Sequence, residues 1–276
     1  MIIDYHMHLR GPGPGPEEGP VEHTRAAVEA YVNAAASHGV DEIGFTEHLY
    51  YFRQFEGLVT HPYQRDRMDH DLETYVDAVV ESKSRGLPVK LALEVDWFQG
   101  REEELAQALE PYPWDYLVGS VHIVDGEAID LEPGAWEHRS VGDVWHRYFD
   151  QLRALARSQI VDVLAHPDLV KIFGRRPAPE QARAQYEETV DVLDECGVAV
   201  EVSSAGLHRP VGEIYPAPEF LALCQERGVA ATTASDAHLS QNVGRDLDRA
   251  VEHLRQAGYE TITVFDGREA RQEPLG

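Results

Sequence analysis

The feature that most constrains this chain is a repeat. Short apolar or β-branched runs recur along it, each closing on a polar motif and each followed by a stretch of helical period. The runs cover residues 1–8, 42–48, 89–96, 116–122, 161–166, 198–203 and 229–236, with an eighth at 261–265. Between most of them, at 24–38, 72–85, 101–109, 144–157, 180–196, 217–227 and 246–257, apolar residues follow the 3.6-residue period of a helix. Gly39, Gly86, Gly197 and Gly228 stand at helix ends, where a residue at ease in left-handed backbone lets the chain turn into the next strand. Alternating strands and helices predict parallel βαβ units. Seven or eight such units in 276 residues, with no break in composition, predict one closed barrel spanning 1–276 rather than two domains. Two segments interrupt the pattern. Residues 10–20, RGPGPGPEEGP, read as a loop, and the aromatic, charged stretch 50–70 is long enough to lie as a lid over the strand ends.

Composition excludes several classes. Hydrophobic residues make up 43% of the chain, enough for a sizeable core, and 24 Lys and Arg against 49 Asp and Glu leave a net charge of −25. Such a surface repels polyphosphate, so nucleic acid is not an expected partner; the acidity reads mainly as solubility. No run approaches a membrane span and the first residues lack a basic, then apolar, leader, so a cytoplasmic location and no membrane partner are expected. Cys196 and Cys224 sit in apolar helical surroundings and read as small core residues rather than a disulfide framework. The oligomeric state is left open.

The chemistry sits where the strands end. His6-Met7-His8, Glu47-His48, Glu94, His122, His166-Pro167-Asp168 and Asp236-Ala237-His238 close six of the runs. In a strand, residues two apart share a face, which turns His6 and His8 into one site and Asp236 and His238 likewise. The C-terminal strand ends of a parallel barrel converge on one mouth. A lone histidine there is commonly just hydrogen-bonded, and Glu94 alone could pair with a lysine. Together, so many imidazoles and carboxylates are expensive to bury without a cation. Imidazole and carboxylate without thiolate suit Zn, Fe or Mn, with ligands for two or three divalent ions and with Glu94 able to bridge two. His38, His61, His70, His138, His146 and His253 lie on helices or loops and read as surface residues.

The motifs DYHMH, FTEH, LEVD, GSVH, AHPDLVK and SDAH, in that order, resemble the successive signatures of the polymerase and histidinol phosphatase (PHP) superfamily. Residues 203–218, SSAGLHRPVGEIYPAP, resemble a signature of its histidinol-phosphatase branch. The resemblance runs from residue 2 to about residue 265. It implies a distorted (β/α)7 TIM-like barrel of the PHP type with a trinuclear metal centre. His6, His8, Glu94 and Asp236 would hold the first ion; Glu94, His122 and His166 the second; His48 and His238 the third, with one residue from the loop after the first motif. There the family often has a short Cys-x-His turn, whereas this chain has its Gly/Pro stretch; His23 is the nearest replacement, with Glu17, Glu18 and Glu22 as rivals.

The implied reaction is hydrolysis of a small phosphate ester, L-histidinol phosphate, to L-histidinol and phosphate in histidine biosynthesis. Glu94, Asp236 and Asp168 are the candidate catalytic carboxylates. Arg209, Lys171 and Arg175 are the candidates to grip phosphate, each with a plain alternative as a surface charge. Residues 50–55 would face the cationic end of the substrate. The donor to the leaving alkoxide is left open among Asp168, His208 and water. Two other enzyme classes remain: a PHP phosphoesterase acting on nucleotides, against which the acidity and residues 203–218 argue, and a metal-dependent amidohydrolase. The latter also opens with His-x-His but commonly bridges its metals through a carboxylated lysine, where this chain offers Glu94 and His122. A non-enzymatic binding domain sits poorly with so complete a ligand set.

Overall fold

In the computed structural model, which describes residues 1–11, 19–136 and 138–276, strands and helices alternate along the chain. The elements are β1 (Ile3–Asp4), α1 (Arg25–Ser37), β2 (Glu42–His48), α2 (Pro62–Arg65), α3 (Leu72–Ser84), β3 (Val89–Asp96), α4 (Glu102–Leu109) and β4 (Tyr116–Ser120). A small hairpin, β5 (Ile123–Val124) and β6 (Glu127–Ala128), precedes α5 (Val141–Ser158) and β7 (Val163–Leu164). There follow α6 (Pro179–Cys196), β8 (Ala199–Ser203), α7 (Pro218–Arg227), β9 (Ala231–Ala234), α8 (Leu247–Ala257), β10 (Thr261–Asp266) and β11 (Glu269–Pro274).

Seven strands form one sheet in the order β1-β2-β3-β4-β7-β8-β9, every neighbouring pair parallel. The sheet closes where β9 meets β1. Tyr5 N donates to Thr233 O at 3.0 Å and His8 N to Ala237 O at 2.8 Å. Asp4 clasps the same seam, accepting from Ser235 N at 2.8 Å and from Gly244 N at 2.8 Å. The result is a (β/α)7 TIM-like barrel, distorted because β1 and β7 are each only two residues long. The helices end as their sequences direct. Thr24 caps α1 by accepting from Ala27 N, and Gly197 and Gly228 take φ of 68° and 76° just past α6 and α7.

Two expectations are corrected. The sequence runs overshoot the ladders: β1 stops at Asp4, β4 at Ser120, β7 at Leu164 and β9 at Ala234. His166 and Asp236 adopt left-handed backbone, φ 26° and 52°, which a strand cannot continue through, so the chain turns at the barrel mouth. The eighth run is no barrel strand. β10 pairs antiparallel with β11, and this hairpin covers the far end of the barrel, Phe265 stacking on Tyr116 at 5.5 Å while Arg268 N donates to Asp115 O at 2.8 Å. Residues 50–70 do cover the mouth, folded into short helical turns and held by Arg53 N donating to His70 O at 3.1 Å. Among the described residues no helix is long and apolar enough to cross a membrane, and Cys196 and Cys224 are unpaired.

The barrel interior is packed tightly enough to dictate a glycine. The Tyr116 hydroxyl donates to Tyr5 O at 2.7 Å, and a Cβ on Gly44 would lie 1.7 Å from that hydroxyl. Gly44→Ala is therefore expected to destabilise the fold by about 1–3 kcal/mol, the range of overpacked cores. Denaturant unfolding checks it, and pairing the change with Tyr116→Phe should recover part of the loss.

Candidate metal centre

Glu94 is buried near the end of β3. Its Oε2 lies 2.5 Å from His48 Nδ1, 3.6 Å from His6 Nε2 and 3.9 Å from His8 Nε2. Its Oε1 lies 3.1 Å from His166 Nε2 and 3.4 Å from His122 Nε2. A second carboxylate, Asp236, stands 3.2 Å from His8 Nε2, 3.7 Å from His6 Nε2 and 3.6 Å from His238 Nδ1. Side chains distant in sequence are thus brought into three groups whose ligand atoms lie within 4.8 Å of one another: His6, His8 and Asp236; His6, Glu94 and His166; His8, His48 and His238.

A further layer of acids aims the imidazoles. Glu201 places Oε2 2.7 Å from His6 Nδ1, and its Oε1 accepts from the backbone N–H of His166 at 3.0 Å, so one carboxylate orients the His6 ring and pins the His166 backbone. Asp96 Oδ1 lies 2.9 Å from His122 Nδ1 and accepts from Gln64 Nε2 at 2.8 Å. On His6 and His122 the outer nitrogen is thus occupied and Nε2 is turned inward, the usual arrangement behind a metal-binding imidazole. Neither acid was picked out from sequence. The signals were there: Asp96 shares a strand face with Glu94, and Glu201 is a lone acid within the otherwise apolar AVEVS.

The electrostatics are those of a cation site. Burial opposes ionisation of Glu94, yet His48, His122 and His6 hold its carboxyl well below the usual range. Asp236 is likewise opposed by burial and held well below it by His6 and His8. Burial also opposes charge on His6 and His122, but Glu201 and Glu94 push His6 well above its ordinary value, and Glu94 and Asp96 carry His122 up to about 10. His238, desolvated and beside His8, is pushed well below. His6 Nε2 is buried without a hydrogen-bond partner, an arrangement costing about 1–3 kcal/mol. Inward-facing imidazole nitrogens beside buried carboxylates fit divalent cations.

This cluster floors a cavity of about 230 Å3. Tyr50, Tyr63 and Gln64 line it from the covering segment, Asp130 and Leu131 from the stretch after β6, and Arg209 and Tyr215 from residues 203–218. Tyr50 stacks on His48 at 4.7 Å. Of the expected phosphate contacts, the structure brings only Arg209 to the cavity.

Lys171 is fully buried, with Nζ 2.9 Å from Asp168 Oδ2 and donating to Ile214 O at 2.9 Å. Asp168, equally buried, accepts from Ala217 N at 2.8 Å; the two form an internal ion pair beside the cavity, not on its lining. Arg175 does not line it either, and its carbonyl accepts from Trp145 Nε1. His208 is turned away too, its ring nitrogens facing Asp246 and Arg245.

His23 stands outside the three groups. Its ring packs on Phe52 and Tyr75, and its Nε2 lies 3.6 Å from Glu47 Oε1. Glu47 is also gripped by the Arg10 guanidinium at 3.0 Å through both oxygens. His8 joins His48 and His238 instead. Glu22 accepts from Thr24 Oγ1; Glu17 and Glu18 lie outside the described residues. Two histidines read as surface residues also differ: His61 Nδ1 is buried without a partner, and His70 packs on His23.

Residues 21–205 match the PHP domain family. The chain belongs to this family. The matched segment holds Glu94, His48, His122 and His166, while His6, His8, Asp236 and His238 flank it. A probable histidinol-phosphatase of Deinococcus radiodurans is 31% identical over 267 residues, spanning 95% of this chain and 96% of the relative. The histidinol-phosphatase of Lactococcus lactis is 22% identical, over 96% and 94%. A crystal structure of histidinol phosphate phosphatase from Lactococcus lactis, complexed with zinc, L-histidinol and phosphate, shares the fold with a TM-score of 0.75 at 18% identity, covering 98% of each chain.

Because five imidazoles approach Glu94, Glu94→Gln is expected to lower bound metal to a fraction of the wild-type content while far-ultraviolet circular dichroism stays unchanged. His23→Ala should leave the metal content as it is. Elemental mass spectrometry on the three proteins checks both outcomes.

Proposed function

We propose that this PHP protein hydrolyses L-histidinol phosphate to L-histidinol and phosphate, as a metal-dependent phosphomonoesterase of histidine biosynthesis. The observation that carries the reading is one cavity in which a cation-ready floor, an arginine and an acidic, aromatic wall face each other. Relatives bearing the same activity in their names along nearly the whole chain support it.

In this reading His6, His8 and Asp236 hold one ion, Glu94 with His122 and His166 a second, and His48 with His238 and His8 a third. Zn, Fe and Mn all suit the nitrogen and oxygen donors, and two or three ions fit. Bound, such cations activate water and neutralise charge on a transferring phosphoryl group. The protein supplies the rest. Glu201 and Asp96 keep the imidazoles aimed, Arg209 binds phosphoryl oxygen at the rim, and the covering segment 50–70 shields the reacting ester from bulk water. Asp130, Tyr50 and Tyr63 line the same cavity and complement the cationic amine and imidazole of the substrate. The net charge of −25 disfavours nucleotide chains as substrates. A biosynthetic role and two unpaired cysteines support a cytoplasmic location, and the closed barrel supports a single domain.

Phosphate release from a panel of phosphomonoesters, with and without a chelator, tests the proposal. Histidinol phosphate should be the preferred substrate and chelation should abolish turnover; preference for a nucleotide would overturn it. Arg209→Ala should lower kcat/KM by about 1–2 kcal/mol in transition-state free energy. That is the lower part of the range for a charge-assisted contact, since Arg209 is exposed. Metal content should not change.

A further inference from the structure

One residue of the cavity wall has a buried hydroxyl that the protein itself leaves unused. Tyr215 is only 1% exposed, lines the cavity beside Arg209, and its Oη has no hydrogen-bond partner. An unpaired buried hydroxyl is a standing loss unless something from outside the fold completes it. A phenol keeps its proton at neutral pH, so this hydroxyl is available as a donor.

The surroundings hold the ring in one place. The Lys171 ammonium lies 5.3 Å from the ring centroid, and the His166 ring meets it edge-on at 6.4 Å. Gly206 backs the hydroxyl-bearing end so closely that a Cβ there would come within 3.0 Å of Tyr215 Cζ. The backbone is pinned as firmly. Ser203 N donates to Tyr215 O at 2.7 Å and Tyr215 N to Ser203 O at 3.0 Å. On either side Lys171 holds Ile214 O and Asp168 holds Ala217 N. The buried Asp168–Lys171 pair, excluded from the cavity, thus fastens the segment that carries Tyr215. Such pre-paid rigidity is what an electrostatic donor needs if it is not to reorganise during a reaction.

We propose that the Tyr215 hydroxyl is a catalytic residue: it donates a hydrogen bond to a non-bridging phosphoryl oxygen of the substrate, next to Arg209, with Asp168 and Lys171 as its positioning residues. The proposal rests on the phosphatase reading. The step moves no proton. The hydroxyl contributes a neutral donor beside the cation-binding floor, adding no positive charge that would compete with the metals for their carboxylates.

The test is Tyr215→Phe, which keeps the ring and removes only the hydroxyl, measured on the metal-loaded protein. The affinity for inorganic phosphate by titration calorimetry should fall roughly 10–100-fold, the range for a hydrogen bond to a charged group. The kcat/KM for histidinol phosphate and for an aryl phosphate should fall by one common factor. Metal content should be unchanged and Tm unchanged or higher, because an unsatisfied buried group has been removed. Unaltered phosphate affinity would mean that the hydroxyl serves only a bound water, and would overturn the proposal. A lowered Tm with lost metal would assign Tyr215 a structural role and overturn it equally. Should the wild-type protein release no phosphate from histidinol phosphate, the functional reading fails separately, and the calorimetric comparison still decides whether Tyr215 contacts phosphate.

Discussion

The attraction between the Glu94 carboxylate and the imidazoles ringed about it is the interaction on which the rest of the structure depends. His48, His122, His166, His6 and His8 approach it from separate places along the chain. Bringing these bases into a water-poor centre carries repulsion and desolvation that only opposite charge offsets. The protein answers in layers, with Glu94 and Asp236 inside and Glu201 and Asp96 outside. Beyond them the backbone must hold everything in register. Closure of the sheet between β9 and β1 achieves this, because the same seam that joins Tyr5 to Thr233 sets His6 and His8 against Asp236.

Much of this arrangement was legible in the sequence. Apolar runs ending in His, Glu or Asp announced both the barrel and the residues at its mouth, since periodicity reports burial and the strand ends share one side. What periodicity cannot report is where the hydrogen-bond ladder stops. The run 161–166 stays apolar through Ala165, past the last paired residue, and 229–236 stays largely buried through Ser235, because the chain at the mouth is buried as well. The far-end hairpin was hidden for a related reason: β10 is as apolar as a barrel strand, and only its partner reveals that it plugs the cylinder instead of joining it.

The reading of charged neighbours was weaker, for a physical reason. Lys171 and Arg175 are near motifs in sequence, but adjacency along a chain that is turning says little about direction. Lys171 turned inward, where it pairs with Asp168 and donates to Ile214 O. His23 was judged by its reach alone, whereas its Nε2 faces Glu47, a carboxylate that Arg10 also grips. Both cases involve contacts that span the chain, Lys171 to Ile214 O and Arg10 to Glu47.

The left-handed backbone at His166 and Asp236 has a consequence for dissecting the centre. Alanine at either position changes two things together: it deletes the donor atom and it forces a side chain with no local hydrogen-bonding capacity into a conformation that Asn, Asp and His tolerate better. An alanine scan would therefore overstate the part these two residues play in chemistry and understate their part in turning the chain. Asn at 236 preserves the turn while blunting the charge, and glycine preserves the turn while removing the side chain. The difference between those two variants is the part that belongs to the donor atom.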